Sequence, residues 1–355
     1  MDRTTSPKGP RAPRGRAAAE NPANRFTRLS LELEEPGPEV APTLYFDDTS
    51  KSILATNDSP DLPFDASLNP YRGCEHGCIY CYARPTHEYL GLSAGLDFET
   101  RIFVKRQAAE LLRAELMSPR WRPQVLSISG VTDPYQPIER KLGLVRGCLE
   151  VLLDFRNPVG IVTKNHLVCR DADLLGELAG FQASAVYLSI TTLDAELARR
   201  LEPRASHPEE RLGALAELSS RGVPVGVLVA PVLPALTDHE LPAILEAAAR
   251  AGAKSAAFIP LRLPGAVAGL FEAWLERHFP ERKDKVLNRL RSMRGGRLND
   301  PRFGHRMRGE GVFAEQLRSL FHTSCRRHGL AGRSDKLSVA AFRRPGSALQ
   351  LDLFG

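Results

Sequence analysis

The sequence predicts an α/β fold: an open or partial (β/α)6 barrel of the TIM type with a helical C-terminal extension. Three observations lead there. Between residues 66 and 265, apolar β-branched runs alternate with helical periodicity about every 30 residues, the rhythm of βαβ crossovers around a parallel sheet. The strand runs are almost continuously apolar, as strands covered on both faces must be. Several end in polar residues, at the carboxyl ends of strands where such sheets bind ligands.

Taken in order, residues 1–25 are rich in Pro, Arg and Ala and read as a disordered basic tail. Residues 26–65 read as irregular, with one short strand near "TLYFD". The barrel is expected over 66–265. Its first strand lies near "SLNPYRG", its second in "QVLSISG" (124–130), its third in "PVGIVTK" (158–164) and its fourth in "SAVYLSITT" (184–192). The fifth falls in "VPVGVLVAPV" (223–232) and the sixth in "KSAAFIPLRL" (254–263). Helical periodicity fills the gaps at 139–156, 171–180, from Asp194, from Pro208 to Arg221, and at 238–252. Six units are fewer than the eight of a closed barrel. From 266 to 355 amphipathic helices flank a basic, Gly-rich stretch, "RGGRLNDPRFGHRMRGEG", and read as an extension.

Composition bounds the function. The chain has 355 residues, 43% hydrophobic and 25% charged, long enough for a large core. No run of 18 apolar residues appears, so no membrane span is expected. The N-terminus lacks the apolar segment of a secretory signal, and six cysteines are too few for a disulfide scaffold; the expectation is a cytoplasmic protein. Net charge is +6, concentrated in the tail and in 282–308, where ten bases face two acids. Such runs fit either solvated surfaces or a footprint for phosphates.

The chemistry concentrates in "NPYRGCEHGCIYCYARP", which places Cys74, Cys78 and Cys81 in C-x3-C-x2-C spacing. Structural zinc wants four ligands, and only the Cys78/Cys81 half has a zinc-like spacing; His76 sits too close to Cys78 for a regular tetrahedron. A fully capped [4Fe–4S] cluster needs a fourth thiolate, for which Cys148, Cys169 and Cys325 are the candidates. A cluster with one iron left open needs only three.

These residues resemble the radical SAM superfamily. "YRGCEHGCIYCYAR", followed in order by "SGVTDPYQPIE" and "VTKN", is similar to the subgroup related to spore photoproduct lyase, and "RFGHRMRGEGVFAE" looks like a feature of an uncharacterised branch of it. The likeness covers about residues 65–265. It implies a barrel of the radical SAM type, a [4Fe–4S] cluster on Cys74, Cys78 and Cys81, and S-adenosylmethionine (SAM) chelated at the open iron. It further implies reductive cleavage of SAM to a 5′-deoxyadenosyl radical, hydrogen abstraction from a substrate, and a flavodoxin- or ferredoxin-type reductant. The substrate is unassigned, nucleic acid or a nucleotide being one class.

The same likeness implies cofactor contacts. Tyr80 and Tyr82 flank the last cysteine and would meet the adenine or wall the cluster, or else serve as core aromatics. Gly130, Thr132 and Asp133 end the second strand, where the family binds the methionine moiety; Asp133 equally suits a cap on the turn "DPYQP". Lys164 ends the third strand, where the family places a lysine near the cofactor carboxylate. Ser189 and Thr191 on the fourth strand face ribose or carboxylate, or pack inward. His76 either tunes the cluster or lies in a surface loop. One departure stands out: Gly130 occupies the place where spore photoproduct lyase carries the cysteine that returns a hydrogen atom to its product. That separates this chain from thymine-dimer repair. A different class of function, a metal-stabilised nucleic-acid-binding protein without radical chemistry, draws on the cysteine loop and the basic runs.

Overall fold

The computed structural model describes residues 12–26, 41–128, 130–330 and 336–346. Residues 1–11 of the expected tail, 27–40 of the irregular segment, Ser129, and 331–335 and 347–355 of the extension lie outside the described residues.

In chain order the elements are β1 (Leu44–Asp47), β2 (Leu54–Thr56), β3 (Ala66–Leu68), β4 (Tyr71–Arg72), α1 (Leu96–Thr100), β5 (Arg101–Val104) and α2 (Ala108–Met117). Then come β6 (Leu126–Ile128), α3 (Glu139–Leu142), α4 (Leu144–Phe155), β7 (Val159–Thr163), α5 (Ala172–Gly180), β8 (Ser184–Ser189), α6 (Ala195–Leu201) and α7 (Pro208–Ser220). The chain continues with β9 (Val225–Val232), α8 (Leu241–Arg250), β10 (Ser255–Pro260), α9 (Val267–His278), α10 (Lys283–Ser292) and α11 (Gly311–His328).

The main sheet has the order β10-β9-β8-β7-β6-β3-β2. The six strands from β3 to β10 run parallel, and β2 adds antiparallel to β3 at the edge. Each new parallel strand joins beside its predecessor. Right-handed crossovers repeated in one direction put the helices on one side and curve the sheet toward a barrel. The sheet is open, since β10 and β2 are its edges, in agreement with six units rather than eight. A second sheet, β1-β5-β4, carries the chain into and out of the cysteine loop.

Burial follows the sequence pattern. β7 and β8 bury Val159, Ile161, Val186 and Leu188 completely, while α4 turns Val145, Leu149, Leu152 and Phe155 inward. The helix read over 139–156 is two helices. Gly143, at φ 64°, ends α3 by donating its N–H to Glu139 O, and α4 starts afresh.

Residues 12–26 depart from the expected disorder. Ala17 and Ala18 are buried, and Arg16 donates to Glu99 O at 2.9 Å and to Ala41 O at 3.0 Å. Composition favours solvation of this segment, but the carbonyls and the Glu99 carboxylate offered by the neighbouring α1 outweigh it.

The extension packs helices on the outer side and returns to the sheet edges. Trp274 of α9 donates to Arg200 O at 3.0 Å, and the ring of Phe321 of α11 packs tilted against Phe258 of β10 with centroids 4.6 Å apart. Buried Arg294 donates to Pro260 O and Leu261 O at the end of β10 and to Arg306 O. Arg306 in turn pairs with Asp61 at 2.6 Å, in the loop ahead of β3. The basic Gly-rich stretch thus ties the last parallel strand to the first.

Candidate metal centre and cofactor site

The cysteine loop leaves β4 at Gly73 and is held from below. Gly73 (φ 81°) and Gly77 (φ 66°) adopt the left-handed region, and a Cβ on Gly77 would stand 2.7 Å from Glu99 Oε2. Arg84 is fully buried, and each of its five N–H donors is used. Nε donates to Cys78 O, Nη1 to Ala94 O and Gly95 O, and Nη2 to Gly77 O and Glu99 Oε1. Glu99 also accepts from Ala17 N and Ala18 N. Cys74 N donates to Phe98 O, and Ile79 N to Leu201 O. The loop is therefore fixed by backbone contacts and by one guanidinium.

All six cysteines are free thiols; Cys74 and Cys78 are buried and Cys81 is half-buried. Burial pushes the Cys74 thiol well up, reinforced by Asp133 and the two neighbouring thiols. Burial pushes Cys78 up as well, against the opposing pull of Lys164. Neither sulfur is a spontaneous thiolate nucleophile; an iron centre supplies the positive charge that three buried thiolates require. Among the described residues, the group whose ligand atoms all fall within 4.8 Å of one another is His166–Cys169–Glu217, not the loop cysteines. Cys148 is buried on α4, Cys325 on α11, and Cys169 donates toward Ala214 O, so none joins the three. The donor set fits a [4Fe–4S] cluster with one open iron.

Around the loop, Tyr80 is buried. Its hydroxyl meets Glu202 and, at 3.2 Å, Thr191 Oγ1. Glu202 also accepts from Thr191 at 2.8 Å and pairs with Arg211, whose other donors reach Ser206 O and Ser189 O. Burial opposes ionisation of Glu202, but Arg211 and Lys164 hold its pKa below the usual carboxylate range. Lys164 Nζ lies 5.9 Å over the Tyr80 ring. Burial works against its charge, yet Cys78 and Glu202 keep its pKa above the ordinary lysine value. This places a stable ammonium beside the cluster loop.

At the end of β6, Gly130 N and Val131 N donate to Asn69 Oδ1, and Gly130 O accepts the Tyr82 hydroxyl at 2.8 Å. Tyr82 is half-exposed, and Arg262, just past β10, lies 4.7 Å over its ring. Thr132 donates to Tyr71 O. Ser189 donates to Ala230 O and is buried. Asp133 is spent on the protein: Oδ1 accepts from Tyr135 N and Thr163 Oγ1, Oδ2 accepts from Lys164 N, and His76 Nδ1 stands 3.3 Å away. Burial would raise its pKa, but His76, Thr163 and the Lys164 N–H outweigh it and hold the carboxyl at about 2.

The family model of the radical SAM superfamily matches residues 68–248. This chain belongs to the radical SAM superfamily. An uncharacterised protein of Mycobacterium tuberculosis strain H37Rv is 38% identical over 259 residues, covering 72% of this chain and 76% of the relative. An uncharacterised protein of Methanocaldococcus jannaschii is 30% identical over 173 residues, covering 49% of this chain and 62% of the relative. Among solved structures, a double mutant of spore photoproduct lyase with bound AdoMet and dinucleoside spore photoproduct superposes with a TM-score of 0.59 at 16% identity, covering 83% of this chain and 82% of that one. At that identity the likeness is one of fold. The chain is a radical SAM enzyme, and its cofactors are a [4Fe–4S] cluster and SAM. Among the described residues, no helix is long and apolar enough to cross a membrane.

The radical SAM fold brings Cys74, Cys78, Cys81, Tyr80, Tyr82, Gly130 and Lys164 to one end of the sheet, at or just beyond the strand ends. Thr132, Asp133 and Ser189 lie there too, with their side chains engaged by protein groups. His76 is buried, not a surface residue. The sequence alone does not single out Asn69, Arg84, Glu202, Arg211 or Arg262. Arg211 on α7 looks like part of a solvated helix face until the fold buries it, while Asn69, Arg84, Glu202 and Arg262 lie outside the regular α-helices, where no local signal marks a partner.

Proposed function

We propose that Cys74, Cys78 and Cys81 ligate three irons of the cluster and leave the fourth for SAM. The reading is carried by a three-thiol loop, rigidly held, with no fourth cysteine joining it. When bound, the cluster supplies the electron that cleaves the S–C5′ bond of SAM, giving a 5′-deoxyadenosyl radical that takes hydrogen from substrate. The chain's own residues bind and shield. Lys164 sets a positive charge beside Cys78, where an anionic carboxylate gains most. Tyr80, fixed by Glu202 and Thr191, walls the site, and Gly130 keeps the end of β6 open at the backbone. Thr132 and Asp133 shape the strand end for the methionine moiety, Asp133 by orienting His76 and the Lys164 backbone, and Ser189 does so at the neighbouring strand. Residues 66–265 form the catalytic body, and the described part of 266–355 is an extension that braces it.

The substrate reading is an anionic, planar group, for which a nucleotide or nucleic acid is the candidate class. Arg262 supports it: among the described residues no carboxylate oxygen lies within 4.0 Å of it, and Tyr82 beneath it is half-exposed. Buried Arg294 adds positive charge nearby, its pKa lowered to about 10 by burial and then by Arg262. A guanidinium stacked on a phenol offers charge to a phosphate and a π face to a base. A flavodoxin- or ferredoxin-type reductant in a reducing cytoplasm completes the scheme.

The test is anaerobic reconstitution. Brown protein with about four irons per chain, bleached by Cys→Ala at 74, 78 or 81 but not at 148, supports the assignment. A colourless protein with one zinc overturns it.

A further inference from the structure

We infer that His166, Cys169 and Glu217 form a second, mononuclear metal site, suited to zinc, on the helical side of the sheet and separate from the cysteine loop. His166 and Cys169 lie on the 3₁₀ turn His166–Asp171 that follows β7. That turn repeats every three residues, so positions i and i+3 eclipse and present both side chains on one side. Glu217 comes from α7, whose Ala214 carbonyl, one turn earlier, faces the Cys169 thiol at 3.9 Å. The three ligand atoms all lie within 4.8 Å of one another, and His166 Nε2 stands 3.8 Å from Glu217 Oε2. Tetrahedral zinc, with bonds of about 2.0–2.3 Å, separates neighbouring ligand atoms by about 3.3–3.8 Å. One edge is already at that length, and small rotations of the half-buried His166 and Glu217 side chains toward the buried Cys169 sulfur close the others.

The donor chemistry selects the ion. Thiolate, imidazole and carboxylate together suit zinc and exclude the oxygen-seeking Mg²⁺ and Ca²⁺. Arg221 Nη2 lies 3.7 Å from Glu217 Oε1 and leaves Oε2 turned to His166, the kind of outer contact that orients a ligating carboxylate. Binding breaks the Cys169 S–H bond, forms a Zn–S bond and releases the proton to solvent; no electron moves. Water fills the fourth position.

The site is placed to brace the cluster loop. Asn165, immediately before His166, lies 3.2 Å from His76 Nε2 and accepts from Ser206 Oγ, while His166 N donates to the same hydroxyl. An ion joining the turn to α7 fixes the segment that flanks His76 and Asp133. Its role is structural.

The experiment titrates Zn(II) into the cluster-loaded enzyme and counts zinc and iron after gel filtration. The expectation is about one zinc per chain beside the iron, with affinity at least about tenfold weaker in C169A and E217Q while cluster absorbance is unchanged. A second arm adds Co(II) to C74A/C78A/C81A, which lacks the loop thiols. A sulfur-to-cobalt charge-transfer band that disappears on adding C169A supports the site. Equal zinc uptake by wild type and C169A, or no thiolate band with cobalt, overturns it.

Discussion

Arg84 and Glu99 form a fully buried ion pair, 2.6 Å apart, directly beneath the loop that carries the three cysteines. The pair is satisfied on both sides: the guanidinium holds two loop carbonyls, and the carboxylate holds two N–H groups of the N-terminal segment. Removing one partner of such a pair leaves an unpaired buried charge, which costs about 3–5 kcal/mol. Arg84→Ala is expected to lower stability by that amount in denaturant titration and to lose iron after reconstitution. Glu99→Gln, which keeps an acceptor, should lose less of both. Unchanged iron retention in both variants would refute the clamp.

Gly77 tests the loop backbone. Gly77→Ala introduces both a strained positive φ and a Cβ 2.7 Å from Glu99 Oε2. The expected cost is about 1–3 kcal/mol, with slower cluster incorporation followed by absorbance during reconstitution. Gly143→Ala shares the positive φ but meets nothing within 4 Å, and should cost less and leave the cluster alone.

Asp133 gives a pH dependence. In the folded, iron-free chain its pKa is about 2, against 3.8 in its unperturbed state. The depressed value means the stabilisation is complete above about pH 4 and disappears as pH falls toward 2. It amounts to about 2 kcal/mol. Stability of the iron-free chain should therefore fall less steeply between pH 4 and 2 in Asp133→Asn than in the parent, as read by urea midpoints. Parallel curves would contradict the role given to this carboxylate.

Arg262 reports on the substrate. Arg262→Gln should weaken binding of a short single-stranded oligonucleotide and reduce the dependence of log K on log salt by about one phosphate contact. SAM binding by the same variant should change little, as measured by equilibrium dialysis. If oligonucleotide affinity and its salt slope are both unmoved, the anionic-substrate reading fails.

The alternation of apolar runs and amphipathic helices was enough to predict six parallel strands in an open sheet. Each run of residues carries its own period and does not depend on distant partners. The C-x3-C-x2-C spacing likewise put Cys74, Cys78 and Cys81 in one loop whatever the rest of the chain does. Tertiary structure alone decided what surrounds them. It buried His76 between Asp133 and Asn165 and joined Tyr80 to Glu202 across 122 residues. It also turned Arg16, Ala17 and Ala18 of a basic, disorder-like segment into part of the loop's support. It tied the sheet edges through Arg306 and Asp61. Such contacts join groups remote in sequence, and a charged side chain's choice between solvent and a buried partner is settled only when the fold removes the solvent.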